Sequence, residues 1–390
     1  MPRRLAIVAT HPIQYYAPLF RALANRDDLE VHVFYGWRGA ADTSAHDPGF
    51  EQEVEWDIPL LEGYEYTFVP NVSSDPGTHH FRGLINPELV PSVESWGPDA
   101  VLVYGWAYQS HLRALWSFSG RVPVFFRGDS TLLDERGWAR PLLRRLVLRT
   151  VYRYVDVALP VGTQSEAYFR AHGFDDDTLH WAPHTVDNKR FEDETGEAAS
   201  EALTWRRELG ISDDEVVFLF AGKLGAKKAP DVLLDAYQQL DGEGHHLVFV
   251  GSGPMEEDLQ EQADGNEHVH FLEFQNQSRM PSVYRLGDVF VLPSRGPGET
   301  WGLAVNEAMV CGRPVVVSDR VGCAPDLVDE GKNGYVCEAD SAERLAQTLQ
   351  ACLENAERLD EMGRASHAMI QDWSIAREAH RIAGALNEYL

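Results

Sequence analysis

The chain has 390 residues, 44% of them hydrophobic, and a formal net charge of −27 at pH 7. This length predicts two domains, because single hydrophobic cores stop growing at roughly 250 to 300 residues. The acidic balance excludes a nucleic-acid partner, since neutralising phosphates needs a basic surface. No apolar run reaches the roughly 18 residues that span a bilayer and the N-terminus lacks a signal-peptide pattern, so we expect a cytoplasmic protein. The acid excess, with arginine favoured over lysine, is halophile-like and suggests a high-salt cytoplasm.

Short β-branched or aromatic runs alternate with helical patterns along the whole chain, in two series. The first series of predicted strands is Leu5–Ala9, Val31–Tyr35, Ala100–Tyr104, Val122–Phe126 and Val157–Pro160. The second is Val216–Phe220, His246–Val250, Val269–Leu272, Val289–Leu292 and Val315–Ser318. Strands that alternate with helices predict an α/β fold, with parallel sheets covered on both faces.

A polar, acidic segment without apolar periodicity separates the two series. We therefore predict an N-terminal domain over residues 1–187, a linker over 188–200 and a C-terminal domain over 201–372. Residues 373–390 have a helical pattern and could cross back to the N-terminal domain. In doubly wound sheets ligands bind at the carboxyl ends of the strands, so we expect the chemistry in strand-to-helix loops.

One such loop, AGKLGAKKAP, holds three of the five lysines in the chain: Lys223, Lys227 and Lys228. It follows a predicted strand and precedes a helix, where lysine ammonium groups and helix-end N–H groups could hold a phosphate. The alternative interpretation is a solvated basic turn. The scarcity of lysine elsewhere favours the functional one.

A second loop, PSRGPGETWGLAVNEAMV, contains Glu299 and Glu307. We predict a helix over Thr300–Val310 with Glu299 at its start, so that the two carboxylates differ by a rise of about 12 Å. That separation excludes the closely spaced carboxylate pair of a retaining glycoside hydrolase, which lies roughly 5 Å apart. Two acidic residues eight positions apart can also be a solvated helix face.

The motif order of the C-terminal half resembles the retaining glycosyltransferases of family 4. Glu299-x7-Glu307 and the following Cys311–Ser318 look like the E-x7-E signature of that family. The segment GKLGAKKA is similar to its G-R-L-x-x-x-K-G motif, with Lys223 and Lys228 at the two basic positions. Gly251-Ser252-Gly253-Pro254 at a strand end and Gly331-Lys332-Asn333-Gly334-Tyr335 also match.

The resemblance implies a GT-B architecture, in which two Rossmann-like domains face each other across a cleft, and sugar transfer with retention. It implies a nucleotide-sugar donor, a UDP-sugar or GDP-sugar, and no metal and no cofactor. Lys223 and Lys228 would neutralise the donor diphosphate, Glu299 would bind the sugar hydroxyls and Glu307 the ribose. Further donor contacts are expected from Gly251, Gly253, Phe274, Thr300, Trp301, Gly302 and Leu303. The acceptor could be a glycan, a lipid or a small molecule.

The N-terminal half supplies substrate candidates at three predicted strand ends. His11 and Gln14 lie in the segment HPIQYY, which also occurs in a subset of the family and could equally be a proline-directed turn. Arg127 and Asp129 could bind an acidic acceptor group or form a structural ion pair. Trp106 could line an acceptor pocket or belong to the core.

The segment Arg140 to Arg153 predicts an amphipathic helix. Leu142, Leu143, Leu146, Val147 and Val151 form its apolar stripe, with arginines around it. The stripe could face the core, which is our main expectation, or contact anionic lipid at the inner membrane face.

Two other functions share parts of this pattern. A sugar-nucleotide epimerase of GT-B fold would have the same diphosphate site but not typically the E-x7-E block. A non-catalytic sugar-nucleotide or glycan-binding protein would keep the cleft without needing the full set of lysines and glutamates.

Overall fold

A computed structural model describes residues 1–39, 45–47, 52–54, 56–133, 135 and 139–390, without the side chains of 45–47, 52–54 and 139–142. The chain divides into two compact units. The first comprises Met1–Ala45, Val54–His184 and Ile375–Leu390, and the second comprises His46–Glu53 and Thr185–Ser374.

The strands and helices are numbered in chain order. The strands are β1 Arg3–Ala9, β2 Leu29–Tyr35, β3 Ala45–Asp47, β4 Gln52–Val54, β5 Glu65–Phe68, β6 Ala100–Tyr104, β7 Val124–Gly128, β8 Val157–Pro160, β9 Val216–Ala221, β10 His245–Val250, β11 Val269–Leu272, β12 Val289–Leu292, β13 Val315–Ser318 and β14 Gly334–Cys337. The helices are α1 Ala17–Ala24, α2 Leu89–Trp96, α3 Gln109–Phe118, α4 Ala139–Tyr152, α5 Thr163–Ala171, α6 Asn188–Phe191, α7 Glu197–Glu208, α8 Pro230–Tyr237, α9 Glu256–Gln262, α10 Met280–Leu286, α11 Leu303–Val310, α12 Ala324–Leu327, α13 Ala342–Glu354, α14 Leu359–Ile370 and α15 Ile375–Tyr389.

Each unit is built on one six-stranded parallel sheet. The strand order is β5-β2-β1-β6-β7-β8 in the first unit and β11-β10-β9-β12-β13-β14 in the second. Both follow the order of a doubly wound dinucleotide-binding fold, in which the order of the strands reverses beside the first strand. Helices cover both faces, and strands such as β6 and β10 are therefore buried at every position.

The predicted α/β class with two parallel sheets is confirmed. The bounds of β6, β8, β11, β12 and β13 are those predicted from the sequence. Four strands were not predicted: β3 and β4, which pair with each other, and the sheet-edge strands β5 and β14. The strand β5 has two exposed residues, Glu65 and Tyr66, and β14 begins at a glycine, so both give a weak strand signal.

Residues 188–200, predicted as a linker, contain helix α6 and the beginning of α7. The helix α15 belongs to the first unit, although the rest of that unit ends at His184. Its buried face includes Ala379, Ile382 and Leu386, which lie in one core cluster with residues of α1 and β1. The first unit therefore takes its last helix from the end of the chain.

The predicted apolar stripe of helix α4 is largely exposed instead of facing the core. Leu143, Leu146 and Val147 are 65%, 59% and 50% exposed, whereas Leu148 and Tyr152 lie in the core. The inward positions fall about half a turn from the predicted stripe, at 100° per residue. The expectation that the stripe faces the core is thus wrong for these three residues, and the predicted Leu142 lies outside the described side chains.

Within the described part of the chain, no helix has both the length and the hydropathy of a membrane span.

Several histidines are buried in the neutral state, and stability should therefore fall in mild acid. Burial lowers the pKa of His111 to about 4, although its ring bonds the Gly105 carbonyl, and burial lowers the pKa of His270 to about 4. Such a histidine binds a proton more readily in the unfolded chain than in the folded one. The free energy of unfolding is therefore highest above pH 6.5 and decreases as the pH falls towards 4. For His111, which is fully buried, the loss amounts to roughly 3 kcal/mol.

We predict that the thermal midpoint of the chain drops between pH 6.5 and 5, where exposed carboxylates remain ionised. His111→Asn keeps a donor for the Gly105 carbonyl but cannot titrate, so it should flatten this pH dependence even if it lowers stability overall. Differential scanning fluorimetry of both proteins across this range measures the effect. An unchanged slope in the variant would contradict the assignment.

Candidate functional site

The two predicted chemical loops of the second unit meet where its strand order reverses. The loop 222–229 follows β9 and the loop 293–302 follows β12, and these strands are neighbours in the sheet. Strands β10 and β11 extend to one side and β13 and β14 to the other. This reversal leaves a crevice at the carboxyl ends of the strands, where ligands of doubly wound sheets bind.

A lysine and a glutamate form an ion pair across the two loops. Lys228 Nζ lies 2.8 Å from Glu299 Oε2, and Lys227 Nζ lies 3.6 Å from the same oxygen. The Ser294 hydroxyl donates a hydrogen bond to that oxygen at 3.1 Å. Glu299 is 6% exposed. Lys227 thus joins the lysine that was predicted at this site.

The lysines keep Glu299 ionised in spite of its burial. Burial by itself raises the pKa of this carboxyl, but the charges of Lys228 and then Lys227, with the hydrogen bonds from Lys228 and Ser294, hold the pKa below its usual value. Lys223, the other predicted basic residue, is half-buried on the same loop. The site therefore combines an acceptor of hydroxyl hydrogen bonds with adjacent cations.

Arg295 holds the lysine loop in place. Its guanidinium bonds both carboxylate oxygens of Asp231, at 2.9 and 2.8 Å, and Asp340 at 2.6 Å. Its backbone N–H donates to the Lys227 carbonyl at 3.0 Å. Because Asp231 stands in the first turn of α8, this arginine fixes both ends of the segment that carries Lys227 and Lys228. Sequence reasoning missed it, since an isolated arginine in a loop carries no motif.

The predicted glycines of the β10 loop serve a close backbone contact. A Cβ atom on Gly251 would lie 2.1 Å from the Gly222 carbonyl oxygen, and one on Gly253 would lie 2.6 Å from the Leu224 carbonyl oxygen. The Leu224 N–H also donates to the Ser252 carbonyl at 2.9 Å. Glycine at these positions lets the loops after β9 and β10 pack together, which supports the lysine loop from behind.

Glu299 precedes the helix rather than starting it. Helix α11 begins at Leu303, after Gly302 with φ of 97°, so the predicted helix from Thr300 and its 12 Å rise are wrong. The left-handed conformation favours glycine. A Cβ atom on Gly302 would also lie 2.8 Å from Val321. The loop can thus turn sharply between the two glutamates.

Glu307 lies on α11 and is 2% exposed. The Tyr284 hydroxyl donates to its Oε2 at 2.6 Å, and Arg190 lies 3.7 Å from its Oε1. The carboxylate is therefore held in a fixed position by a phenol and a guanidinium. Its neighbours were not predicted, because they come from distant segments.

The remaining predicted donor residues surround this loop. Trp301 is buried, donates from Nε1 to Asn306 Oδ1 at 2.9 Å and packs against Trp373 with ring centroids 5.1 Å apart. Its side chain thus anchors the loop, and its backbone carbonyl accepts a hydrogen bond from the Cys323 N–H at 2.9 Å. Thr300 and Leu303 are half-buried, and so is Phe274, which follows β11.

In the first unit the predicted substrate residues follow three neighbouring strands. His11 and Gln14 follow β1, Trp106 follows β6 and Asp129 follows β7, and these strands are adjacent in the sheet. These four side chains are half-buried. Burial lowers the pKa of His11 to about 4, so its ring is neutral at pH 7. It contacts the Trp37 ring edge-on at 5.5 Å.

Arg127 is a structural anchor within the first unit. It is 3% exposed and lies 2.5 Å from Glu378 on α15. It also donates to the Ala182 and Pro183 carbonyls at 2.9 and 3.0 Å. Sequence reasoning weighed an ion pair with Asp129 but could not find Glu378, which is 251 positions away along the chain. Buried with these partners, Arg127 is not exposed to an acceptor.

One group of three side chains in the described part of the chain has metal-ligand spacing: Asp75, His79 and His80. Their geometry fits hydrogen bonds instead. His80 Nδ1 accepts from the Arg82 backbone N–H at 3.1 Å, which leaves the proton of a neutral ring on Nε2, facing Asp75. His79 Nε2 lies 3.1 Å from the same carboxylate. This arrangement gives no evidence for a metal site.

Residues 201–369 match the family described as glycosyl transferases group 1. The chain is 29% identical to the GDP-mannose-dependent alpha-(1-6)-phosphatidylinositol monomannoside mannosyltransferase of Mycolicibacterium smegmatis, over 66% of this chain and 69% of that one. It is 26% identical to a D-inositol 3-phosphate glycosyltransferase of Geodermatophilus obscurus, over 96% of this chain and 87% of the other.

The fold of the whole chain is also that of solved glycosyltransferase-like structures. Anabaena HepE, crystallised in complex with UDP, aligns with a TM-score of 0.74 at 20% identity, over the full length of both chains. That likeness shows the fold, and residues 201–369 are similar to a family of glycosyltransferases. Together the two findings support a glycosyltransferase of GT-B fold.

Proposed function

We propose that the chain transfers a sugar, with retention of configuration, from a UDP-sugar or GDP-sugar to an acceptor hydroxyl, without a metal ion. The observation that carries this proposal is the pair of Lys228 and Glu299 at the point where the strand order of the second unit reverses. HepE is described with UDP and with UDP-glucose, which supports a nucleotide-sugar donor here.

The local charge suits a diphosphate. Three lysines on the β9 loop and the carboxylate of Glu299 leave two formal positive charges, which match the two negative charges of a bridging diphosphate. Lysine ammonium groups can stabilise the charge that develops on the leaving phosphate, a role that a bound metal plays in other transferases. The side chains of Lys227 and Lys228 are 46% and 20% exposed.

Glu299 suits recognition of the sugar. An ionised carboxylate accepts hydrogen bonds only, and hydroxyl groups donate them strongly to it. Since its Oε2 already contacts Lys228 and Ser294, the group has a fixed orientation before a donor binds. We infer that Glu299 positions the sugar while the neighbouring ammonium groups attract the diphosphate, so that one ion pair addresses both sides of the bond that breaks.

Glu307 would hold the ribose of the donor. Its carboxylate is bonded by Tyr284 and lies near Arg190, so it has the fixed geometry that a two-hydroxyl ligand needs. Backbone N–H groups at the start of α11, after Gly302, would bind the leaving phosphate. We further propose a cytoplasmic location and membership of family 4, with an acceptor that could be a glycan, a lipid or a small molecule.

Replacing Lys228 should weaken nucleotide binding without unfolding the protein. A nucleotide that binds only the native state raises the thermal midpoint, so UDP or GDP should stabilise the wild type, and Lys228→Ala should lose most of that shift. Turnover in Lys228→Ala and Glu299→Gln should fall about 10²- to 10³-fold, the cost of removing one transition-state contact.

Two exposed residues of the same unit give matched controls. Lys332→Ala and Glu267→Gln remove the same charges before β14 and β11, at the amino edge of the sheet opposite the site, and should keep wild-type turnover. The proposal fails if Lys228→Ala turns over donor as fast as Lys332→Ala does.

Arg295 should act as a positioning residue. Asp231→Asn removes a negative charge beside the lysine loop, which by electrostatics alone would strengthen diphosphate binding. If the contact of Arg295 with Asp231 positions the lysines, the same change weakens nucleotide binding, and we expect about a tenfold rise in the Kd measured by calorimetry. Tighter binding by Asp231→Asn would refute the positioning role.

Metal dependence gives an independent test. Because the ammonium groups supply the charge, we predict that dialysis against EDTA leaves the initial rate of transfer unchanged. A rate that disappears with EDTA and returns only with added Mn²⁺ or Mg²⁺ would overturn the metal-free mechanism.

A further inference from the structure

Helix α4 turns an apolar face outward. Leu143, Leu146 and Val147 stand at positions i, i+3 and i+4, which lie on one side of a helix, and all three are at least half exposed. Leu148 and Tyr152 anchor the opposite side in the core. The helix is thus fixed to the first unit by one face and presents three large aliphatic side chains on the other.

Arginines flank this outward face on both sides. At 100° per residue, Arg144 lies on one side of the aliphatic face, and Arg149 and Arg153 lie on the other. All three are exposed. Residues 139–153 contain five arginines and no acidic residue, in a chain whose net charge is −27. An outward apolar face bordered by cations is the pattern of a helix that lies in a membrane interface.

Helix α3 extends the same surface. Its Leu115 and Phe118 belong to one core cluster with Leu148 and Tyr152 of α4, so both helices cover the same face of the first sheet. Its outward side carries Trp116, which is 65% exposed, and the exposed Arg113. This helix also contains no acidic residue. Tryptophan favours the boundary between water and lipid.

Acidic side chains close to the two helices in sequence have polar partners. Glu135, four residues before α4, lies 3.4 Å from Arg145, and the exposed Asp156 accepts a hydrogen bond from the Val124 backbone N–H at 2.8 Å. On α2, Glu94 lies 2.5 Å from Arg121. On α5, Glu166 lies 2.6 Å from Arg170, which also bonds Asp176. The charges of Arg113, Arg144, Arg149 and Arg153 therefore face solvent without acidic neighbours on their own helices, and the surface has a local charge opposite to that of the whole chain.

We propose that the outer surface of α3 and α4 docks on an anionic lipid bilayer. The arginines match the phosphates of the headgroups, and Trp116, Leu143, Leu146 and Val147 enter the boundary of the acyl chains. At 0.1 M salt the Debye length is about 10 Å, so the distant acidic surface of the chain is screened while these contacts are not. A second copy of the chain is a poorer occupant, because two such faces would bring their arginines together.

Sedimentation with vesicles tests the surface on the full chain. In 0.1 M salt the wild type should bind vesicles of phosphatidylcholine and phosphatidylglycerol at 7:3, and phosphatidylcholine vesicles at least tenfold more weakly. Leu143→Ser/Leu146→Ser/Val147→Ser and Arg144→Gln/Arg149→Gln/Arg153→Gln should each lose at least tenfold in partition coefficient. Leu203→Ser, at an exposed leucine of the second unit, is the matched control and should bind like the wild type.

Thermal midpoints near that of the wild type establish that the triple variants fold. If they do not fold, Trp116→Ser, a single change on α3, tests the same surface and should also weaken vesicle binding. Wild-type binding by the arginine variant, or equal binding of the wild type to both vesicle types, would overturn the proposal. So would light scattering that shows a wild-type dimer converted to a monomer by the serine variant, because the face would then be a contact between copies.

Discussion

The second unit depends on one buried carboxylate and the ammonium groups beside it. A carboxylate at the position of Glu299 would be costly without a partner, since burying an unpaired charge costs several kcal/mol. Lys228 compensates this charge, and the compensation requires that the loops after β9 and β12 stay in register. Arg295 maintains that register, and the contact of Gly251 with Gly222 supports the β9 loop from the side of β10. The surrounding packing is thus explained by the need to hold one ion pair.

The same constraint links stability to binding. In the free protein the ammonium of Lys228 serves Glu299, and a diphosphate would compete for that charge while sugar hydroxyls offer the carboxylate other partners. Because Lys227 also lies within 4 Å of Glu299, the carboxylate keeps a cationic neighbour if Lys228 turns towards a ligand. Two adjacent lysines would therefore let the candidate site exchange partners without leaving a buried charge unpaired.

The sequence predicted most of the sheet strands but missed individual contacts between residues that are far apart along the chain. Buried parallel strands read as short apolar runs, so the central strands and the edge strands β8 and β11 were found, whereas β5, with two exposed residues, and β14, which begins at a glycine, were not. The lysines and glutamates of the site followed from motif order. Arg295 and Glu378 could not be predicted, because their partners lie far away along the chain and a lone charged residue has no periodic signal. The face of α4 was misassigned because either side of this helix offers leucine and valine.

The ion pair of Arg127 with Glu378 affects when the first unit can finish folding during synthesis. On the ribosome, residues 1–184 emerge long before the last helix, and until α15 arrives the nascent first unit has a guanidinium buried without its carboxylate and an uncovered apolar patch against α1. The second unit needs no residue beyond Ser374, so all of it has been synthesised before α15. The order of synthesis and the order of completion are therefore reversed, and the first unit is the one that would need a chaperone during translation.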